Sequence, residues 1–155
     1  MADALRRRVG AYLRDCHVMT VATYGSEGLW AAAVFYVNDE LRALHFVSSP
    51  RSRHCVNVAG NPRVCATVHD NCDDWTRIRG VQLEGHAAEV DASESERVRR
   101  LYATKFPMIG AKTPAAIAEA LSRVRWYTVV PERCWFVDNS RGFGHRDEVD
   151  LAPLR

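Results

Sequence analysis

Three β-rich runs joined by turns of three or four residues restrict the fold of this chain more than any other feature. His17 to Tyr24 (HVMTVATY), Leu29 to Val37 (LWAAAVFYV) and Leu41 to Ser48 (LRALHFVS) are linked by Gly25-Ser26-Glu27-Gly28 and by Asn38-Asp39-Glu40. A parallel crossover needs a dozen or more residues, so turns this short predict an antiparallel meander. A short helix from Pro50 to about Ala59 follows, and Asn61-Pro62 separates it from a fourth strand, Arg63 to His69. Beyond a polar loop at Asn71 to Asp74, a long β run extends from about Thr76 to Val90. Gly80 and Gly85 inside that run mark bends or bulges, as expected where a sheet curls into a barrel.

The remaining elements decorate that sheet. MADALRRRVGAYLRD reads as an amphipathic helix with Leu5, Val9, Tyr12 and Leu13 on one face. Asp91-Ala92-Ser93-Glu94 starts a helix that runs to about Phe106, with Pro107 just beyond it. Thr113-Pro114 starts a short Ala-rich helix to about Ser122. Two last strands, Arg125 to Val130 and Arg133 to Asp138, flank Pro131-Glu132, and the tail from Asn139 reads as irregular backbone. Residues 1–155 carry no repeat or linker and are taken as one domain. The fold class is mainly β with short flanking helices, a small antiparallel barrel.

Composition removes several function classes. The formal charge is only +2, and no basic tail or stripe stands out, so nothing favours a nucleic-acid partner. No apolar run approaches membrane-spanning length, and the N-terminus lacks the apolar stretch of a secretory signal. Asp3, Asp15 and the absence of Ser in that stretch also argue against a transit peptide. The five cysteines are odd in number and lack a CxxC spacing, which suits reduced thiols in a cytoplasmic protein. His69, Cys72 and Asp73 fall together in a loop, where turn chemistry explains them better than metal binding does, so no metal is expected. No Ser-His-Asp, paired-carboxylate or HExxH pattern is present.

One segment carries chemistry. In HFVSSPRSRHCVNVAGNPRV a strand ends at Phe46-Val47-Ser48, and Pro50 opens a short helix bearing Arg51, Ser52, Arg53 and His54. Hydroxyls and guanidinium groups delivered to a helix start make a phosphate cradle, because free N–H groups and the positive end of the macrodipole point to the same place. The same residues also read as an ordinary helix start with a solvated basic face.

The wider pattern resembles the FMN-binding split-barrel superfamily that contains pyridoxamine 5′-phosphate oxidase. The similarity lies in HFVSSPRSRHCVNVAGNPRV and in RGVQLEGHAAEV. It is closer to the YhbP-like bacterial group, in GLWAAAVFYV, RSRH, IRGVQLEG, KFP and FVDNSRGFGH. These matches run from about Val18 to His145. The resemblance implies a six- to seven-stranded antiparallel split β-barrel, a homodimer, and a bound FMN, with deazaflavin or haem as the other cofactors of such folds.

It also implies site residues. The phosphate contacts fall on Ser48, Ser52 and Arg53 beside Val47, and His54 stands where the family usually has Lys. The flavin-edge strand matches Ala32, Ala33, Val34, Phe35 and Tyr36, with Ala31-Ala32-Ala33 small enough for a flat ring to approach. Gly80 replaces a family Gln, which leaves Gln82 to compensate. Trp126 is the aromatic residue placed nearest the ring, although Trp30, Trp75, Trp126 and Trp135 each also read as barrel filling. His17 and His45 read as structural. The oxidase's Arg-x-His is not reproduced by Ser140-Arg141-Gly142-Phe143-Gly144-His145-Arg146, which argues against vitamin B6 oxidation. Arg141, His145 and Arg146 remain candidates for an anionic substrate.

Three functions follow from this reading: an FMN-dependent oxidoreductase, a cofactor carrier or sensor without turnover, and a barrel that has lost its cofactor. The lack of an evident general base suits the first, since hydride and electron transfer belong to the flavin. His54 and Gly80 favour the other two.

Overall fold

The computed structural model describes residues 2–110 and 112–152. Helix α1 (Ala2–Asp15) precedes β1 (Val18–Gly25), β2 (Gly28–Asp39) and β3 (Ala43–Ser48). Helix α2 (Arg53–Gly60) leads to β4 (Arg63–His69) and β5 (Arg79–Glu89). Helices α3 (Ala92–Lys105) and α4 (Ala115–Leu121) precede β6 (Arg125–Asp138) and β7 (Arg146–Glu148). Strand order is β3-β2-β1-β4-β5-β6-β7, and β3 also pairs with β6. That last pairing closes six antiparallel strands into a barrel and leaves β7 as an extra strand on β6.

Inward-facing residues at period two fill the barrel. Met19, Val21, Tyr36, Leu44, Phe46, Val68, Val81, Val129 and Phe136 are all buried there. The apolar face of α1 closes one end through Val9 and Leu13, both fully buried. Each such side chain contributes about 1.5–3 kcal/mol. Arg6, on the same helix, donates to the carbonyls of Glu40 (2.7 Å) and Asp150 (2.8 Å), tying α1 to the β2–β3 turn and to the C-terminal segment.

Several boundaries differ from the sequence reading. The second turn of the meander is Glu40-Leu41, with both residues at positive φ (51° and 62°) and Arg42 N–H donating to the Asp39 carbonyl. Positive φ at both central residues of a tight turn gives a twist that matches the strands it joins. This turn moves Leu41 out of the third strand, and the buried Leu41 side chain anchors the turn instead. Pro50 opens a turn, while α2 starts after Ser52. Trp75–Arg77 form a 3-10 turn, so β5 starts only at Arg79.

The two last strands are one. The register shifts between Glu84 and Gly85, where Gly85 faces Pro131. A bulge tolerates Pro within a strand, so β6 runs through. A Cβ on Gly85 would stand 2.0 Å from the Val130 carbonyl oxygen, which is why glycine sits there. The tail is not irregular throughout. Asp138 and Asn139 accept from the backbone N–H of Ser140 and Gly144 and turn the chain back, so that Arg146–Glu148 pair with Trp135–Val137.

Outside the barrel, α3 lies over the outer face of β2, β3 and β6, where Val37, Tyr102 and Ile109 are buried with Val47, Phe106 and Trp126 around them. Among the described residues no helix is long and apolar enough to cross a membrane.

Candidate cofactor site

The barrel is split beside the end of β3. The β2–β3 ladder covers only Tyr36–Asp39 against Ala43–Phe46, whereas Gly28–Phe35 pair with β1 alone. Ala32, Ala33, Val34 and Phe35 therefore present an open backbone edge, with the outward side chains of Ala33 and Phe35 exposed and those of Ala32 and Val34 turned toward the core. Carried on, the same register would set Val34 level with Ser48, where the chain leaves the sheet for α2.

Helix α2 is held at this gap by its docking on β1. Asn57 is buried and donates to the Thr23 hydroxyl at 3.0 Å. Gly25 lets it sit there, since a Cβ would come within 2.0 Å of Asn57 Oδ1. The start of the helix gathers polar groups. Ser48 Oγ lies 2.8 Å from His54 Nε2 and 3.3 Å from Ser52 Oγ, and Ser52 Oγ lies 3.2 Å from the same ring nitrogen. Ser52 makes no side-chain capping bond. Its hydroxyl donates instead to the Ser49 carbonyl at 2.7 Å. The N-terminal dipole of α2 is thus not answered by its own cap.

Arg53 points across the gap to the β1–β2 hairpin. It donates to the Glu27 carbonyl at 2.7 Å, and its guanidinium sits over the Trp30 ring at 4.6 Å. Its Nε is buried without a hydrogen-bond partner, because the Glu27 carboxylate is 3.7 Å away. Burial lowers the pKa of His54 below the ordinary value, so its ring is uncharged near neutral pH. Two hydroxyls, one neutral imidazole and one guanidinium gathered near one strand-to-helix junction are the donor types that could hold a phosphate group.

The other expected residues divide. Val47 pairs with Trp126 in the β3–β6 ladder, and Trp126 packs edge-on against Tyr102 at 5.1 Å. Trp126 is half-buried against α3 and stands one strand away from the open edge of β2. Phe35 meets Phe106 at 5.4 Å on the same outer face. Gln82 is exposed on β5 and not at the cradle. It belongs to one cross-strand row, Trp135–Gln82–Thr67–Thr20–Ala33, that crosses the outer face to the open edge. A groove of about 340 Å³ runs beside Thr20, Thr67, Gln82, Trp135 and Arg146. Gly80 is buried, and a Cβ there would stand 3.0 Å from the Val68 carbonyl oxygen, a tighter contact than a side chain normally makes. Arg141 and His145 are engaged by Asp147, at 2.9 and 3.0 Å.

Two features were not drawn from the sequence, the Arg53–Glu27–Trp30 bridge and the cross-strand row. The first had a signal, since Gly25 and Gly28 bracket a two-residue hairpin tip that reaches toward α2. The second needs the register, which composition does not give.

Comparison with known proteins bears on the fold and the lineage. Residues 5–138 match the family model described as pyridoxamine 5′-phosphate oxidase. The UPF0306 protein YhbP of Salmonella paratyphi C (strain RKS4594) is 30% identical over 139 residues, covering 89% of this chain and 88% of that one. Among solved structures, the conserved hypothetical protein Rv2991 of Mycobacterium tuberculosis superposes with a TM-score of 0.73 at 20% identity, over 87% of this chain and 85% of that one. A heme-binding protein of Mycobacterium smegmatis gives 0.71 at 23% identity, over 97% of this chain and 58% of that one.

Proposed function

We propose, from the premise that this chain belongs to the pyridoxamine 5′-phosphate oxidase family, that it binds FMN and acts as an oxidoreductase on a small molecule. The observation that carries this reading is the cradle at the start of α2. Ser48, Ser52 and His54 meet within 3.3 Å of one another at the start of the helix that also carries Arg53, whose Nε is buried without a hydrogen-bond partner. In this reading the hydroxyls and the imidazole donate to the phosphate, and Arg53 supplies the charge. The open edge of Ala32–Phe35 offers backbone donors and acceptors to the ring, and small Ala33 permits close approach. A flavin supplies the hydride and electron transfer when bound, while the chain positions it and excludes water.

The homodimer belongs to the same proposal. Val18, Leu29 and Phe35 are exposed on the outer face of β1 and β2 together with Ala31 and Ala33. An apolar surface of this kind suits an isologous contact with a second copy. The five cysteines are all free thiols, which suits a cytoplasmic setting.

A second reading is cofactor binding without turnover, of a flavin, deazaflavin or haem. It is favoured by the uncharged His54, which weakens the hold on a dianion at neutral pH. The test is a fluorescence titration with FMN beside riboflavin, which lacks the phosphate. Tight FMN binding with much weaker riboflavin binding supports the cradle, and oxidation of reduced nicotinamide by the loaded protein then selects the enzyme. Binding of neither flavin overturns both flavin readings. A Soret band on haem addition would assign the cofactor to haem.

A further inference from the structure

Beneath the start of α3 a buried side chain lacks polar partners. His45, between Arg42–Leu44 and Phe46 in the chain, is only 3% exposed. Both ring nitrogens are buried without a hydrogen bond, and Nε2 faces Asp39 Oδ2 at 3.6 Å. Buried polar atoms are almost always satisfied, so a ring with two orphans is a costly arrangement. The same Asp39 oxygen is already in use. It accepts from Arg97 of α3 at 3.0 Å, while the other oxygen accepts from Arg42 at 3.1 Å. Arg97 also donates to Glu94 at 2.7 Å. One carboxylate on β2 thus fastens α3 to the barrel, and an imidazole stands beside the fastening.

Little else holds that end of the helix. Of the 14 residues of α3 only Val98 and Tyr102 are buried, and α4 buries none of its own. A cavity of about 710 Å³ lies beneath the start of α3, lined among others by His45, Ala88, Val98 and Thr128. The far end is better secured. Tyr102 packs edge-on against Trp126 at 5.1 Å, Phe106 meets Phe35 at 5.4 Å, and Lys105 donates to the carbonyls of Leu13 and Cys16.

The charges that face the ring are Asp39 from β2 and Glu94 and Arg97 from α3. Arg42, Glu89 and Asp91 line the same cavity, and Thr128, opposite His45 on β6, is uncharged. Burial lowers the His45 pKa below the ordinary 6.5, against the pull of Asp39, so the docked ring is neutral near pH 7. Burial alone would raise Asp39, but hydrogen bonds from Arg97 and Arg42 hold it below the usual carboxylate range, and it stays ionised. A protonated His45 carries donors on both nitrogens, so Nε2 and Arg97 compete for one oxygen. Raising the start of α3 ends that competition and lets water reach the ring. The raised state therefore binds the proton more readily, and acid favours it.

We propose that His45 is a pH-sensitive latch, whose protonation loosens the first two turns of α3 from the barrel while the end at Tyr102 and Phe106 stays in place. Asp39 is the carboxylate exchanged between Arg97 and His45, and release uncovers Val98 and the cavity beneath it.

The test is amide exchange by NMR on the full chain between pH 7.5 and 5.0, expressed as protection relative to the intrinsic rate at each pH. In the wild type, protection of amides 96–99 is expected to fall severalfold on acidification, with a ceiling of about 30-fold set by the ordinary imidazole value. Val81 and Leu83, on β5 between two neighbouring strands, are expected to keep theirs. His45→Leu is uncharged and of similar bulk, and its protection at amides 96–99 is expected to stay level across the range. Arg97→Gln keeps the imidazole but removes the fastening, so low protection is expected already at pH 7.5. No fall in the wild type, an equal fall in β5, a wild-type fall in His45→Leu, or wild-type protection in Arg97→Gln at pH 7.5 would each overturn the latch.

Discussion

Removing the Arg53 guanidinium separates a phosphate contact from a structural one. This side chain donates to the Glu27 carbonyl at 2.7 Å and lies 4.6 Å from the Trp30 ring centre. Its buried Nε is left over. Losing the carbonyl bond and the cation–π contact costs about 1–2.5 kcal/mol of stability. A chain of this size shifts by about 2–4 °C per kcal/mol, so Arg53→Ala should melt several degrees lower and still be folded at 20–25 °C. A charge-assisted hydrogen bond to the phosphate is worth about 1.5–3 kcal/mol, or roughly 10- to 150-fold in Kd. Riboflavin lacks that group, so its Kd should change by less than about threefold. The assay is the four-way titration of wild type and Arg53→Ala with FMN and riboflavin, read by flavin fluorescence. Equal losses for both ligands would mean that Arg53 acts only by bracing the hairpin. No loss for either would refute the phosphate assignment altogether.

Gly85→Ala should destabilise by about 2–3 kcal/mol, since its Cβ would meet the Val130 carbonyl oxygen at 2.0 Å and backbone must move. Gly60→Ala meets nothing within 4 Å and should stay within about 0.5 kcal/mol of wild type in the same denaturant melts. Lys105 donates to the carbonyls of Leu13 and Cys16, and its burial lowers its pKa from 10.5 to about 8. Between those values the unfolded chain binds more protons than the folded one, so stability should rise with pH through that window. Lys105→Met should lose that rise relative to wild type in melts taken from pH 7.5 to 9.5, and parallel profiles would refute the assignment. Ala33→Arg places a charge on the exposed outer face beside Phe35. By light scattering the wild type should run at twice the 17.5 kDa chain mass and the variant at that mass, while an unaffected dimer would place the interface elsewhere.

Much of the architecture was legible because it is local. The alternation in HVMTVATY, LWAAAVFYV and the run ending at Ser48 is a period-two signal, and short turns between such runs leave only antiparallel pairing. Helix α3 was bracketed by Asp91 and Pro107, both of which act within a turn of the helix end. Gly80 and Gly85 mark bends, bulges or close backbone approach within a β run, and the register shift lies at Gly85. The misreadings share a cause. Leu41 looks like a strand residue, but its burial holds the turn open at positive φ. Pro131 looks like a strand break, but a glycine on the neighbouring strand absorbs it. Both outcomes depend on residues distant in sequence.

The candidate site divides the same way. Ser48, Ser52, Arg53 and His54 were identifiable because they are consecutive or nearly so at a strand-to-helix junction. Such a junction brings side chains together over a few residues whatever the rest of the chain does. What the sequence by itself determined is therefore the strand meander, the start of α3 and the cluster of polar residues at the strand-to-helix junction. Only the tertiary structure decided that the β2–β3 ladder stops at Tyr36, opening the edge of Ala32–Phe35 beside Ser48. It alone placed Gln82 in a row with Ala33, and it alone buried His45 with both nitrogens unpartnered. Register and burial are set by which distant segments share a core, and no local pattern of residues encodes that pairing.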